Sequence, residues 1–319
     1  MKIVITARNF TNYDRAAVES LRACGHEIID LTEHNFTIAT PESEMIAALS
    51  DAQAAICGLE PITDHVLAHC PKLELVSRRS IGYDSIDLDA CRTHGVAVTR
   101  LTGMVEGAVA EHVMAYILYF AKRIDLQNAS MQRGEWVRVM TPGAKGRTLG
   151  LVGFGGIGKE IAKRATAFGM RVIYTCRHPN PAWESEFGVT YRDMDSLLAE
   201  SDYVSLNVPL TDQTRGMFSA PQFEQMKSTA VLINIARGGV VDVSALRRAL
   251  EDGKIGGAAI DVYESEPCTD SPLVGCDKAV LTPHTAPFTS ENFIAMNNRA
   301  AQNVLDFFSG TLDEKYRLV

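Results

Sequence analysis

Thr148-Leu149-Gly150-Leu151-Val152-Gly153-Phe154-Gly155-Gly156-Ile157-Gly158 is the stretch that decides the fold. Its first five residues form an apolar run of strand length. Gly153, Gly155 and Gly158 follow in the spacing G-x-G-x-x-G. Apolar residues then recur at helical spacing, Ile157, Ile161, Ala162, Ala165 and Phe168, up to a stop at Gly169. Such a strand–turn–helix binds a dinucleotide: the first glycine makes the tight turn, and the second lets backbone approach a pyrophosphate. The third brings helix close to strand, while the free N–H groups of the helix start face the phosphates. A glycine triplet alone is weak, but here strand and helix flank it.

The second strand of this unit selects the cofactor. In such folds it ends in Asp or Glu about 20 residues beyond the glycines, holding the ribose 2′-hydroxyl of NAD. Here Arg171-Val172-Ile173-Tyr174-Thr175 runs into Cys176-Arg177-His178. No carboxylate stands there, and a guanidinium pairs well with a 2′-phosphate. The expected cofactor is NADP, with NAD possible.

Composition removes several classes of function. The 319 residues suit about two domains. A formal net charge of −8 argues against a nucleic-acid or anionic-membrane partner. The seven cysteines are scattered without CxxC spacing and read as reduced thiols rather than disulfides or a metal site. The apolar stretch 108–121 is interrupted by Glu111-His112 and is too short to span a membrane. Lys2-Ile3-Val4-Ile5 starts a strand at once, without a leader pattern. The expectation is a cytoplasmic protein with a small-molecule substrate.

Strand candidates in the first hundred residues are 2–6, 27–31, 54–57, 73–77 and 96–99, alternating with amphipathic stretches. From Arg147 they are 148–152, 171–175, 203–206, 230–235, 258–262 and 279–281. This alternation predicts an α/β protein of two doubly wound parallel-sheet domains. Residues 105–122 are apolar nearly all round, predicting a helix buried on several sides. The stretch 123–145, with Trp136 among polar residues, reads as an arm reaching to a second subunit or as a linker. A last helix over 290–308 could return to the first domain. Ser77-Arg78-Arg79-Ser80-Ile81-Gly82-Tyr83-Asp84 follows a strand; taken alone it reads as a surface loop with two solvated arginines.

Three more strand ends belong together: Asn234-Ile235-Ala236-Arg237-Gly238, Asp261-Val262-Tyr263-Glu264-Ser265-Glu266-Pro267 and Thr282-Pro283-His284. In a parallel sheet their carboxyl ends share one edge. An arginine can clamp a substrate carboxylate, a histidine can protonate a developing alkoxide, and a glutamate can hold that histidine oriented and charged. The combination suits carbonyl reduction.

These stretches resemble the D-isomer-specific 2-hydroxyacid dehydrogenase family. So do Ser80-Ile81-Gly82-Tyr83-Asp84-Ser85-Ile86-Asp87, Val109-Ala110-Glu111 and Val208-Pro209-Leu210-Thr211. The likeness covers nearly the whole chain and is weakest over 1–70. It implies Arg237, Glu266 and His284 as catalytic residues, and Ser80, Ile81 and Gly82, with Arg237, as substrate-binding. It implies cofactor contacts at Gly153, Gly155, Gly156, Ile157, Gly158, Cys176, Arg177, Val208, Pro209, Thr214, Ile235, Asp261 and His284, with Asp261 and the Ile235 carbonyl on the nicotinamide carboxamide. It implies a flavodoxin-like substrate domain (1–101 with 288–319), a Rossmann-type cofactor domain (102–287) carrying the dimerisation helix and arm, and a homodimer.

The chain departs from the family at Asn207, where a histidine often stands, and at Thr285-Ala286-Pro287-Phe288, where Ile-Gly-Gly or Ile-Ala-Gly is usual. Tyr174-Thr175-Cys176-Arg177 looks like the NADP-using glyoxylate/hydroxypyruvate reductases. The alternatives are a phosphoglycerate dehydrogenase-like enzyme using NAD, or an NAD(H)-sensing corepressor-like binding protein, which would carry long flanking tails. Formate-oxidising relatives pair the histidine with glutamine, whereas Glu266 is an acid.

Overall fold

Twelve short strands carry the chain, and all their pairings are parallel. The computed structural model describes residues 1–319, which divide into unit 1 (1–105 and 288–319) and unit 2 (106–287). Unit 1 holds β1 (Lys2–Ile5), β2 (Glu27–Asp30), β3 (Ala54–Cys57), β4 (Leu75–Arg78) and β5 (Ala97–Thr99), in the order β2-β1-β3-β4-β5. The helix Ser290–Ser309, capped by the Thr289 hydroxyl, returns to this unit and packs on β4 and on the helix Ala16–Ala23. Ser77 Oγ donates to the Ala300 carbonyl at 2.8 Å, tying strand to helix.

Unit 2 holds β6 (Thr148–Val152), β7 (Arg171–Thr175), β8 (Val189–Tyr191), β9 (Tyr203–Leu206), β10 (Val231–Asn234), β11 (Gly257–Ile260) and β12 (Ala279–Leu281). Their order is β12-β11-β10-β9-β6-β7-β8. The order reverses between β6 and β9, and doubly wound sheets bind nucleotides at such a point. β6, β9, β10 and β11 are buried along their whole length, which explains their largely apolar sequences. Each buried Phe or Leu here contributes roughly 1.5–3 kcal/mol, Phe218 and Phe223 among them.

The α/β expectation holds, with local differences. β8 is an addition to the expected strands: it is a three-residue edge strand with only Val189 buried, so it leaves no apolar run. Within 123–145 the structure forms a helix, Ile124–Gln132, with only Ser130 buried. Phe168, expected on the packed face of the Gly156–Ala167 helix, caps its end and is exposed. The helix Glu106–Lys122 buries Val109, Val113, Tyr116 and Ile117 and packs against Gly156–Ala167.

Gly150 sits in mid-strand beneath the helix Met194–Glu200. A methyl there would stand 2.7 Å from Leu197 Cδ2 and closer still to the Ser201 hydroxyl. Gly150→Ala should therefore cost about 1–3 kcal/mol, the usual range for overpacking. Urea unfolding reads this as a lower midpoint at constant slope; an unshifted midpoint would mean the helix moves aside freely.

Candidate active site

The glycine turn has the geometry its sequence demands. Gly153 adopts φ +97°, and a Cβ there would lie 2.6 Å from the Asn207 carbonyl oxygen, so the ends of β6 and β9 touch through it. At Gly158 a Cβ would meet the Gly153 carbonyl at 2.7 Å, which sets the helix close to the strand. Gly155 is different: a Cβ there would meet nothing within 4 Å. It is also the N-cap of Gly156–Ala167 and offers no side-chain acceptor. The helix start at Gly155 thus faces open space, which fits a pyrophosphate. Val208 and Pro209 follow β9, and Thr214 closes their loop, its hydroxyl donating to the Pro209 carbonyl at 2.6 Å. Arg177 lies beyond β7, exposed and in no salt bridge, beside half-buried Cys176.

The ends of β10, β11 and β12 bring three side chains together. Asn234, buried at the end of β10, accepts from the Ala236 N–H at 3.1 Å and donates to the Arg237 carbonyl at 3.0 Å. This fixes the turn Ile235–Arg237. Gly238 follows because its α-carbon presses on the Tyr263–Glu264 backbone, where any Cβ would collide. That contact sets the Arg237 turn beside the loop carrying Glu266. Glu266 Oε1 accepts from the Tyr263 N–H at 3.0 Å, and Oε2 from His284 Nδ1 at 2.7 Å. Burial pushes the Glu266 carboxyl up, but the His284 hydrogen bond and charge, the Tyr263 N–H and Arg237 outweigh it and hold it below the usual range. With Nδ1–H on the carboxylate, Nε2 is the ring atom left for chemistry.

His284 has a left-handed backbone, φ +55°, and its N–H donates to the Asp261 carbonyl at 2.8 Å. Asp261 is fully buried. Its Oδ1 accepts from the Thr282 hydroxyl at 2.5 Å and the Thr285 N–H at 2.8 Å, and Oδ2 from the Ala286 N–H at 2.9 Å. Oδ2 keeps one acceptor position, as a carboxamide N–H requires.

In unit 1 the turn Ser80–Gly82 is built on a buried cation. Arg78, 1% exposed, donates from Nε to Ser80 Oγ and to the Gly82 carbonyl, both at 3.0 Å. Neither Ile81 nor Gly82 donates its N–H to an acceptor in the chain. Arg79 is also buried, its guanidinium 4.3 Å above the Phe293 ring and bonded to Asn297 at 3.1 Å. Burial, with Arg8 and Arg78 nearby and against the pull of Glu60, lowers its pKa to about 10. The reading of two solvated arginines is corrected: the strand end places one inside the turn and the other under a helix.

Residues 114–286 match the family described as D-isomer specific 2-hydroxyacid dehydrogenase, NAD binding domain. The chain belongs to that family. The dehydrogenase is 37% identical over 284 residues to a glyoxylate reductase of Thermococcus litoralis, covering 86% of each chain. It is 34% identical to glyoxylate/hydroxypyruvate reductase B of Klebsiella pneumoniae, over 90% of this chain and 94% of that one. Among solved structures it resembles a D-lactate dehydrogenase of Aquifex aeolicus complexed with NAD and lactic acid. The TM-score is 0.85 at 29% identity, covering 100% of this chain and 99% of that one. The dehydrogenase is thus a nicotinamide-dependent oxidoreductase of 2-hydroxy acids.

Sequence reasoning did not single out Arg78, Asn234 or Tyr116 in the dehydrogenase. Asn234 could have been found as a polar residue ending an apolar strand, and Tyr116 as a hydroxyl inside an apolar helix.

The depressed Glu266 carboxyl gives a pH test. Its contribution to stability is full above the unfolded value of about 4.3 and is lost as pH falls through the lower folded value. The stability gap between the parent and Glu266→Gln, measured by urea unfolding, should be larger at pH 7 than at pH 3. A gap independent of pH would separate Glu266 from any ionised pair.

Proposed function

We propose that the protein reduces a small 2-keto acid to the D-2-hydroxy acid with NADPH, in the manner of a glyoxylate or hydroxypyruvate reductase. The observation that carries this reading is the 2.7 Å pair of His284 Nδ1 and Glu266 beside the Arg237 turn. Arg237 binds the keto acid through its guanidinium, and the free Ile81 and Gly82 N–H groups suit a carboxylate. His284, protonated and held by Glu266, gives its Nε2 proton to the carbonyl oxygen. A nicotinamide cofactor, which the Gly153–Gly158 turn and Asp261 would hold, would supply the hydride that the carbonyl carbon needs. In the reverse direction His284 takes the proton back.

We assign the first domain role, substrate binding, to unit 1 and the cofactor role to unit 2. All seven cysteines are free, which agrees with a reducing cytoplasm, and no helix is long and apolar enough to cross a membrane. The net charge of −8 favours no nucleic-acid partner.

Turnover of a panel of 2-keto acids, followed by NADPH consumption, tests the function. Arg237→Ala should lower kcat/KM at least about tenfold, since a charge-assisted contact contributes ~1.5–3 kcal/mol. Cofactor affinity should stay nearly unchanged. An unaltered kcat/KM would remove Arg237 from the site.

Arg177 supports NADP over NAD, as an exposed guanidinium where NAD-selecting folds place an acid. Arg177→Ala should weaken NADPH much more than NADH, because only NADPH loses a phosphate partner. Equal effects on the two Michaelis constants would contradict this.

A homodimer would cover the arm that leaves Trp136 76% and Met140 97% exposed, with Ile124 and Met131 close in sequence. Light scattering at micromolar concentration should give twice 34.8 kDa, and a monomer would refute the dimer.

A further inference from the structure

The segment 282–286 holds His284 in a backbone conformation that non-glycine residues seldom adopt. Such a conformation persists only where its surroundings over-determine it. The main chain supplies part of this, through the His284 N–H on the Asp261 carbonyl. The side chains supply a second layer, a relay that begins on a different element, the helix Glu106–Lys122.

Tyr116 is buried in that helix, and its hydroxyl lies 2.5 Å from Thr282 Oγ1. Thr282 Oγ1 in turn lies 2.5 Å from Asp261 Oδ1. A carboxylate only accepts, so the Thr282 proton points to Asp261 and the Tyr116 O–H donates to Thr282. Burial raises the phenol pKa, so Tyr116 stays a donor at any working pH. Asp261 then gathers three donors, and two of them, the Thr285 and Ala286 N–H groups, belong to the residues after His284. Thr282 is pinned from a second side by Tyr263, whose hydroxyl donates to its carbonyl at 3.0 Å.

We propose that Thr282 and Tyr116 are positioning residues for His284: the Tyr116–Thr282–Asp261 hydrogen-bond chain fixes the segment so that the imidazole stays on Glu266. The proposal rests on the reading of His284 as the proton donor. The ionisable groups around the segment are Glu266 and Arg237 on the imidazole side, and Asp261, Tyr263, Tyr116 and His112 beneath it, His112 Nε2 being 3.4 Å from Thr282 Oγ1.

Thr282→Val keeps shape and removes the hydroxyl, while Thr282→Ser keeps the hydroxyl. Thr282→Val should lower kcat for keto-acid reduction about 10- to 100-fold, the scale of a misplaced reacting group. Its keto-acid KM should stay within about twofold, because Arg237 and the 80–82 turn are untouched. Thr282→Ser should restore kcat. An unchanged kcat in Thr282→Val overturns the proposal, as does equal loss in Val and Ser, or a loss confined to cofactor binding. Should Thr282→Val not fold, Tyr116→Phe decides: a fall of about threefold or more in kcat at the parent keto-acid KM supports the chain, and parent values overturn it. His284→Asn run alongside separates the two readings. If it retains full turnover, the acid–base reading fails; if it is inactive while Thr282→Val and Tyr116→Phe match the parent, only the relay fails.

Discussion

The register between β10, β11 and β12 is the constraint on which the site rests. Asn234 pairs with Ile260 and Ile260 with Leu281, so three segments leave the sheet at one level. Arg237 and His284 come three residues past that level, and Glu266 comes from the strand between them. A slip of one residue in a strand displaces the loop beyond it by about 3.3 Å. That is more than the 2.7 Å separating His284 Nδ1 from Glu266, so the pair exists in one register only. Gly238 adds a second condition, because the Arg237 turn can approach the Glu266 loop only without a Cβ.

Both units place side chains of charged type inside the protein, each hydrogen-bonded to the turn beside it, though Glu60 Oε2 and Arg78 Nη1 have no such partner. Asp261 takes three, and Arg78 is held within its own turn. Glu60, fully buried at the end of β3, accepts from the Thr6 hydroxyl and from the Gly58 N–H. Burying charge is poor economy for stability alone. What these groups have in common is that they hold turns at the carboxyl ends of strands, where backbone would otherwise be free to move.

Much of this was legible in the sequence, and for physical reasons. Central parallel strands such as β6, β9 and β10 are buried on both faces, so they read as apolar runs with turn residues after them. The glycine spacing is legible because Gly153 and Gly158 answer separate steric demands, at the Asn207 and Gly153 carbonyls, while Gly155 faces open space. What could not be read depends on residues far apart in the chain. Arg78 looks like any surface arginine until the turn folds around it. Tyr116 and Thr282, separated by most of unit 2, meet only through packing. The edge strand β8 and the exposed helix Ile124–Gln132 bury too little to leave a pattern.

The division of the chain has a consequence for the order of its synthesis. Residues 106–287 form a continuous unit, and its last strand is complete before the helix Ser290–Ser309 is made. Unit 1, begun first, waits for that helix, since Ala300 and Asn297 receive Ser77 and Arg79. On the ribosome the amino-terminal sheet therefore spends the longest time without its cover. Unit 2 has all of its residues while unit 1 still lacks its last helix.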